Sequence, residues 1–202
     1  MTLFLTLLLT SYLLGSLSTA ILVCGFLNCP DPRGVGSGNP GATNVLRTAG
    51  KKAAAITLFG DTFKGTPPLL IGTAHGLEPV LLTIIAAGSV IGHMFPIFYK
   101  FRGGKGVATF LGVNIILNPL LAALYITIWL VTALVSRYSS LGAIVATTTC
   151  PLCAWIIELP APIIMLYVGL SLLILIRHEK NCHNLLRGKE KKIGEKSKTC
   201  KD

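Results

Sequence analysis

Charge is scarce in this chain. Only 13% of its 202 residues are Asp, Glu, Lys or Arg, while 52% are hydrophobic, a balance that argues against a soluble domain. Acidic residues are scarcer still, eight against eighteen Lys and Arg, so the formal net charge is +10. Aromatics make up 7% and do not interleave with a basic patch on a soluble module, which argues against nucleic acid as a partner. The six cysteines form no framework: Cys150 and Cys153 make a lone C-x-x-C inside an apolar stretch, and no second pair stands at zinc spacing. Thiols placed there act as small hydrophobes, and neither a metal ion nor a cofactor is expected. The terminal TCKD does not fit a prenylation signal. No repeat of fixed period is visible, and the first apolar stretch, with no basic residue before it, is too long for a signal-peptide core.

What the chain does have is long apolar runs. A hydrocarbon core about 30 Å thick needs roughly 20 apolar residues of helix. Seven stretches reach or approach that length: Thr2 to Leu27, Ala53 to Thr73, Pro79 to Tyr99, Val107 to Leu117, Leu120 to Ser136, Leu141 to Ile157 and Pro162 to Ile176. Asn118-Pro119 is either a turn between two spans or a kink in one broken helix. Lys and Arg accumulate on the cytoplasmic side of membrane proteins, and here they occupy alternate linkers. Arg33, Arg47, Lys51, Lys52, Lys100, Arg102, Lys105, Arg137 and the segment from Arg177 follow spans one, three, five and seven, whereas the other linkers carry only Glu78 and Glu158. The expected fold is therefore all-α, a polytopic integral membrane protein with seven transmembrane helices, its amino terminus outside and its carboxyl terminus cytoplasmic. Residues 1–188 are expected as a single membrane domain and 189–202 as a basic, disordered cytoplasmic tail that touches anionic lipid.

Three polar segments fall on that one face. The first, GVGSGNPGATN, literally satisfies G-x-G-x-x-G at Gly36, Gly38 and Gly41, with Asp61 twenty residues beyond. A dinucleotide fingerprint needs a strand before it and a βαβ unit around it; an apolar helix precedes this one and Asp61 falls in the next span, so the match is coincidental. The glycines still let backbone amides approach an anion, and NPGATNVLRTAG predicts a short helix with Asn39 as N-cap, Pro40 first, Arg47 on its face and Gly50 past its end. The second segment, YKFRGGKG, sets Lys100, Arg102 and Lys105 around Gly103-Gly104 without Walker spacing, so that Lys105 can fold back towards a bound anion. The third, RHEKNCHNLLRG, puts His178 and Asn181 on one helical face, a base candidate and a hydrogen-bonding partner. Asp61 and Lys64, also at i and i+3 but within a span, are either a functional pair or a structural one. GSLSTA, from Gly15, supplies small residues for close helix packing.

In this order the segments VGSGNPGATNVLRTAGKKAAAITLFGDTFKG, GHMFPIFYKFRGGKGVAT and RHEKNCHNLLRG closely resemble the bacterial acyl-phosphate:glycerol-3-phosphate acyltransferases, the PlsY family. The resemblance runs from GSLSTA to Gly188. It implies a seven-helix enzyme of the bacterial inner membrane, with its site on the cytoplasmic face, that transfers a fatty acyl group from acyl phosphate to glycerol 3-phosphate. It further implies catalytic roles for Ser37, Arg47, Lys105, His178 and Asn181. Substrate phosphates are expected to be held by Gly36, Ser37, Gly38, Asn39, Gly41, Asn44, Arg47, Lys64, His93, Gly103, Gly104 and Lys105. The proton acceptor stays open between His178 and a substrate phosphate, and no acyl-enzyme is expected, because no nucleophile triad is present. The H-x-x-x-x-D signature of unrelated acyltransferases is missing, and Asn184 stands where the family commonly has a basic residue. The rival reading is an anion transporter with Asp61 and Lys64 on its path.

Overall fold

The structure, a computed structural model, describes residues 1–195. Among them there is no strand. The chain runs α1 (Thr2–Gly15), α2 (Thr19–Phe26), α3 (Ala42–Thr48), α4 (Gly50–Phe63), α5 (Thr66–Ala74), α6 (Pro79–Met94), a 3-10 turn (Ile97–Tyr99), α7 (Val107–Leu117), α8 (Pro119–Ser136), α9 (Ser139–Ile156), α10 (Ala161–Arg177) and α11 (Glu179–Leu186). Three segments among the described residues are long and apolar enough to cross a membrane alone, namely α6 with its 3-10 turn, α8 and α9; counting α1–α2 and α10–α11 as bent spans gives five.

The first two expected spans are each broken, for separate reasons. Between α1 and α2 the chain bends by 43° at Ser16–Ser18, where the Ser18 hydroxyl caps the Ile21 amide at 3.5 Å. The polar run read as a packing surface therefore also turns the helix. Between α4 and α5, Pro67 and Pro68 cannot donate to the preceding turn, and the Phe63 carbonyl is taken by the Thr66 hydroxyl at 2.9 Å. Lys64, at this second break, donates to the Leu17 carbonyl freed at the first, 2.8 Å away. Asn118-Pro119 is a turn: Asn118 is extended, its side chain caps the Leu121 amide at 2.9 Å, and α8 packs back on α7.

In lipid, helices gain little from apolar burial against one another, so close backbone approach and interhelical hydrogen bonds dominate. A Cβ at Gly112 would run into the Thr62 carbonyl, and this brings α7 directly against α4. Ser11 donates to the Ile85 carbonyl at 2.6 Å, Thr109 to that of Asp61 at 2.8 Å and Ser171 to that of Thr147 at 2.9 Å. Phe110 stands edge-on to Tyr125 and Tyr167 at the centre, with Leu69, Ile85, Val90 and Ile174 around it. Leu134, Val135, Trp155 and Met165 are exposed on the outside, as a lipid-facing surface requires.

The basic linkers meet at one end of the bundle. Arg33 reaches the Tyr99 carbonyl at 3.5 Å, and Arg177 donates to the carbonyls of Gly103 and Gly104 at 2.8 and 3.2 Å. Residues 189–195, which open the segment expected as a disordered tail, lie on that same end. The Ile193 amide donates to the Arg137 carbonyl at 2.7 Å, and Arg47 donates to those of Lys191 and Lys192 at 2.9 and 3.4 Å. Residues 196–202 of that segment lie outside the described residues.

Candidate active site

The three polar segments converge on one cavity of about 250 Å³ at the basic end. Arg47, Lys105, His178, Asn181, His93 and Asp61 line it, together with Leu58, Leu111, Ile126 and Trp129. Its lining therefore combines cationic with apolar side chains.

The Gly-rich loop reaches it through Ser37, Asn39, Gly41 and Asn44. Gly36 and Gly38 take left-handed backbone at φ 64° and 74° and do not line it. Asn44 knits the loop together: its side chain accepts from the Ser37 amide at 2.8 Å and donates to the carbonyls of Pro32 and Val35 at 2.9 and 3.0 Å. The Ser37 amide is thus spent inside the loop, which leaves the hydroxyl as the group Ser37 can offer a ligand. The short helix begins two residues later than Pro40. Gly41 is still extended, at φ −147° and ψ 162°, and is itself the N-cap with no side-chain cap bond, so Asn39 does not cap. Gly50, at φ 87°, follows the helix end as expected. Arg47 is buried on this helix; one end of its guanidinium holds residues 191 and 192, while its Nε is buried without a partner.

Lys105 follows two glycines whose φ values are not left-handed, so flexibility is not their role here. A Cβ on Gly104 would collide with His93 Nε2, and one on Gly103 with the His93 carbonyl. The glycines let the loop lie flat on α6, held by the Gly104 amide on the His93 carbonyl at 3.0 Å and by Arg177 from the other side. Gly103 and Gly104 accordingly do not line the cavity. Lys105 Nζ donates to Asn181 Oδ1 at 2.6 Å; Asn181 Nδ2 donates to Glu190 Oε1 at 2.7 Å, which also accepts from Ser140 at 2.6 Å. Burial pushes the Lys105 ammonium down to about 8, against an upward pull from Glu190.

His178 sits at the junction of α10 and α11, buried, with Nδ1 2.8 Å from the Ile174 carbonyl. A carbonyl only accepts, so Nδ1 carries the proton and Nε2 keeps its lone pair. Burial first, then the charge of Lys105, hold the ring down to about 4, so it is neutral at physiological pH. Glu190 was not foreseen as a site residue: it stands among lysines in GKEKK, where no local spacing marks it out. Asn184, in place of a basic residue, makes a long contact with its second oxygen at 3.4 Å. Lys64 does not line the cavity; it is buried behind it against Asp61 and His93.

A family model described as glycerol-3-phosphate acyltransferase matches residues 5–188. The glycerol-3-phosphate acyltransferase of Thioalkalivibrio sulfidiphilus is 50% identical over 192 residues, covering 95% of this chain and 95% of its own. That of Vibrio vulnificus is 49% identical over 192 residues, covering 95% and 93%. The crystal structure of PlsY, an integral membrane glycerol 3-phosphate acyltransferase, in its glycerol 3-phosphate form superposes with a TM-score of 0.90 at 39% identity, covering 95% of this chain and 96% of that one. Its lysophosphatidic acid form superposes with a TM-score of 0.86 at 38% identity, covering 95% of each.

Proposed function

Because the chain belongs to the glycerol-3-phosphate acyltransferase family, we propose that its cavity transfers a fatty acyl group from acyl phosphate to glycerol 3-phosphate, giving lysophosphatidic acid and phosphate. It is a membrane glycerol-3-phosphate acyltransferase. The acyl-phosphate donor is our reading, supported by the cavity itself: its lining combines cationic and apolar side chains, which fits a phosphate joined to an acyl chain. An anion transporter is not favoured, since the charges crowd one end and Lys64 is paired with Asp61 at 3.1 Å.

In this reading Arg47 and Lys105 bind substrate phosphates and stabilise the charge that gathers on the tetrahedral oxyanion and the leaving phosphate. The unpartnered Arg47 Nε is a donor without an acceptor until an anion arrives. Glu190 and Asn181 hold Lys105 in place, and the Ser37 hydroxyl adds a neutral donor. The glycerol hydroxyl attacks the acyl carbonyl directly. Its proton passes to His178 Nε2, whose lone pair is fixed by the Nδ1–Ile174 bond, or to a phosphate oxygen. We also infer seven crossings of a bacterial inner membrane, with the site on the cytoplasmic face. The gathering of the linkers after the first, third, fifth and seventh apolar stretches at one end supports it, even though α7, of 11 residues, spans only roughly 17 Å.

Mass spectrometry of the purified protein mixed with palmitoyl phosphate alone tests the direct route. No acyl-protein adduct should form, and adding glycerol 3-phosphate should yield lysophosphatidic acid. A stable adduct that glycerol 3-phosphate discharges would replace direct attack with a covalent intermediate.

A further inference from the structure

Between Gly188 and Gly194 the chain reads KEKKI, one carboxylate among three lysines. Both glycines take left-handed backbone, at φ 65° and 89°, and the first lets the chain double back from the end of α11. The three lysines stay exposed, while Glu190 turns inward and lines the cavity. Its Oε1 accepts from Asn181 Nδ2 at 2.7 Å and from the Ser140 hydroxyl, in the first turn of α9, at 2.6 Å; its Oε2 accepts from Asn184 Nδ2 at 3.4 Å. Arg47 Nη2 is occupied by the carbonyls of Lys191 and Lys192, and the Ile193 amide by that of Arg137. These bonds are all polar, and residues 189–193 belong to neither buried apolar cluster. A segment held in this way opens at far lower cost than the fold as a whole.

The groups that hold the segment are those assigned above to substrate. Arg47 and Lys105 are the two Lys or Arg side chains lining the cavity; Asp61, which also lines it, is paired with Lys64, so Glu190 is the carboxylate set against them. A phosphate monoester is close to a dianion at neutral pH. It would meet one net positive charge with Glu190 in place and two with Glu190 removed.

We propose that residues 189–193 are a strap that closes the empty cavity, with the Glu190 carboxylate standing where a substrate phosphate will bind. The phosphate displaces Glu190 from Asn181 and from the field of Lys105, the carbonyls of residues 191 and 192 leave Arg47, and the strap lifts about Gly188. Glu190 thus holds Lys105 through Asn181 only until substrate takes over that task. The inference rests on the reading of the cavity as the seat of glycerol 3-phosphate and acyl phosphate.

Hydrogen exchange read by mass spectrometry on the purified full chain, below the pH of about 8 at which Lys105 loses its proton, follows the strap directly. Glycerol 3-phosphate or palmitoyl phosphate, each added alone, should speed exchange of the Ile193 amide by about tenfold, the factor carried by a hydrogen bond to a charged group. Acceleration by the first identifies the acceptor's phosphate as the displacing group, and by the second the donor's. Kinetics give the sign. Closed protein must open before it binds, so Glu190→Ala should lower KM for the displacing substrate by up to about tenfold. Ile193→Pro removes the amide on the Arg137 carbonyl and leaves Glu190 in the chain; it should lower the same KM by a smaller factor.

Slower exchange with either substrate would make the segment a lid that closes on its ligand and would overturn the proposal, as would unchanged exchange with both. A KM that rises or stays unchanged in folded Glu190→Ala protein would leave Glu190 as a support of Lys105 alone. An unchanged KM in Ile193→Pro would reduce the effect to charge and remove the strap. Exchange needs binding and no turnover, which separates the two readings. Wild-type protein that lifts the strap yet yields no lysophosphatidic acid would remove the acyl-transfer function alone, whereas an active wild type with an unmoved strap would remove this inference alone.

Discussion

Lys105 is the side chain on which the electrostatics of the cavity converge. Its ammonium is pushed down to about 8 by burial and pulled up by Glu190, and only the protonated form attracts a phosphate. Affinity for glycerol 3-phosphate should therefore weaken as pH rises through about 8, and Glu190→Gln, which removes the upward pull, should move that limb to lower pH. Measuring KM across about pH 7 to 9.5, where a phosphate monoester stays dianionic, checks both signs. Lys105→Ala should cost on the order of 100-fold or more in kcat/KM, the scale of a lost electrostatic donor, and a variant with wild-type kinetics would remove Lys105 from the site. His178→Ala should lower kcat far more than it raises KM; an unchanged kcat would give the proton to a substrate phosphate. Spacing alone marked His178 with Asn181 and Asp61 with Lys64, because each pair lies within one helical turn. It could not mark Glu190, which lies nine residues from Asn181 and reaches it only because the chain turns back after α11. Nor could it place Lys64 behind His93 rather than in the cavity, since that contact joins two helices across 29 residues.

Two features of the short elements also position the site. The break between α4 and α5 places Lys64 where it can reach both Leu17 and His93, and Gly112 lets α7 approach α4 beside the apolar lining. Gly112→Ala should force the two helices apart and destabilise the protein by about 1–3 kcal/mol, the usual cost of overpacking, read as a lower melting temperature in detergent. An unchanged melting temperature would mean that the pair relaxes freely. The apolar periods predicted where helices lie but not where two of the spans break, because the breaks depend on tertiary acceptors: Leu17 for Lys64, and the Thr66 hydroxyl for Phe63. The helix after NPG likewise starts at Ala42 because Gly41 stays extended, a backbone choice that Asn39 and Pro40 do not reveal.

At the scale of the whole molecule, the sequence separates basic from uncharged linkers, and the structure joins the basic ones at one end through Arg33, Arg47, Arg177 and the backbone of Arg137. Single cysteines introduced near Glu78 and Glu158 should react with an impermeant thiol reagent added outside intact cells, whereas one near Lys51 should react only after permeabilisation. The reverse pattern would invert the proposed orientation. The membrane character and the family were legible from runs and motifs together; the donor is where composition stops, since an apolar lining accepts an acyl chain whatever carries it. The most direct measurement therefore incubates purified protein with labelled glycerol 3-phosphate and either palmitoyl phosphate or palmitoyl-CoA. Lysophosphatidic acid should form from palmitoyl phosphate and not from palmitoyl-CoA; product from the thioester alone, or from neither donor with folded protein, would contradict the account.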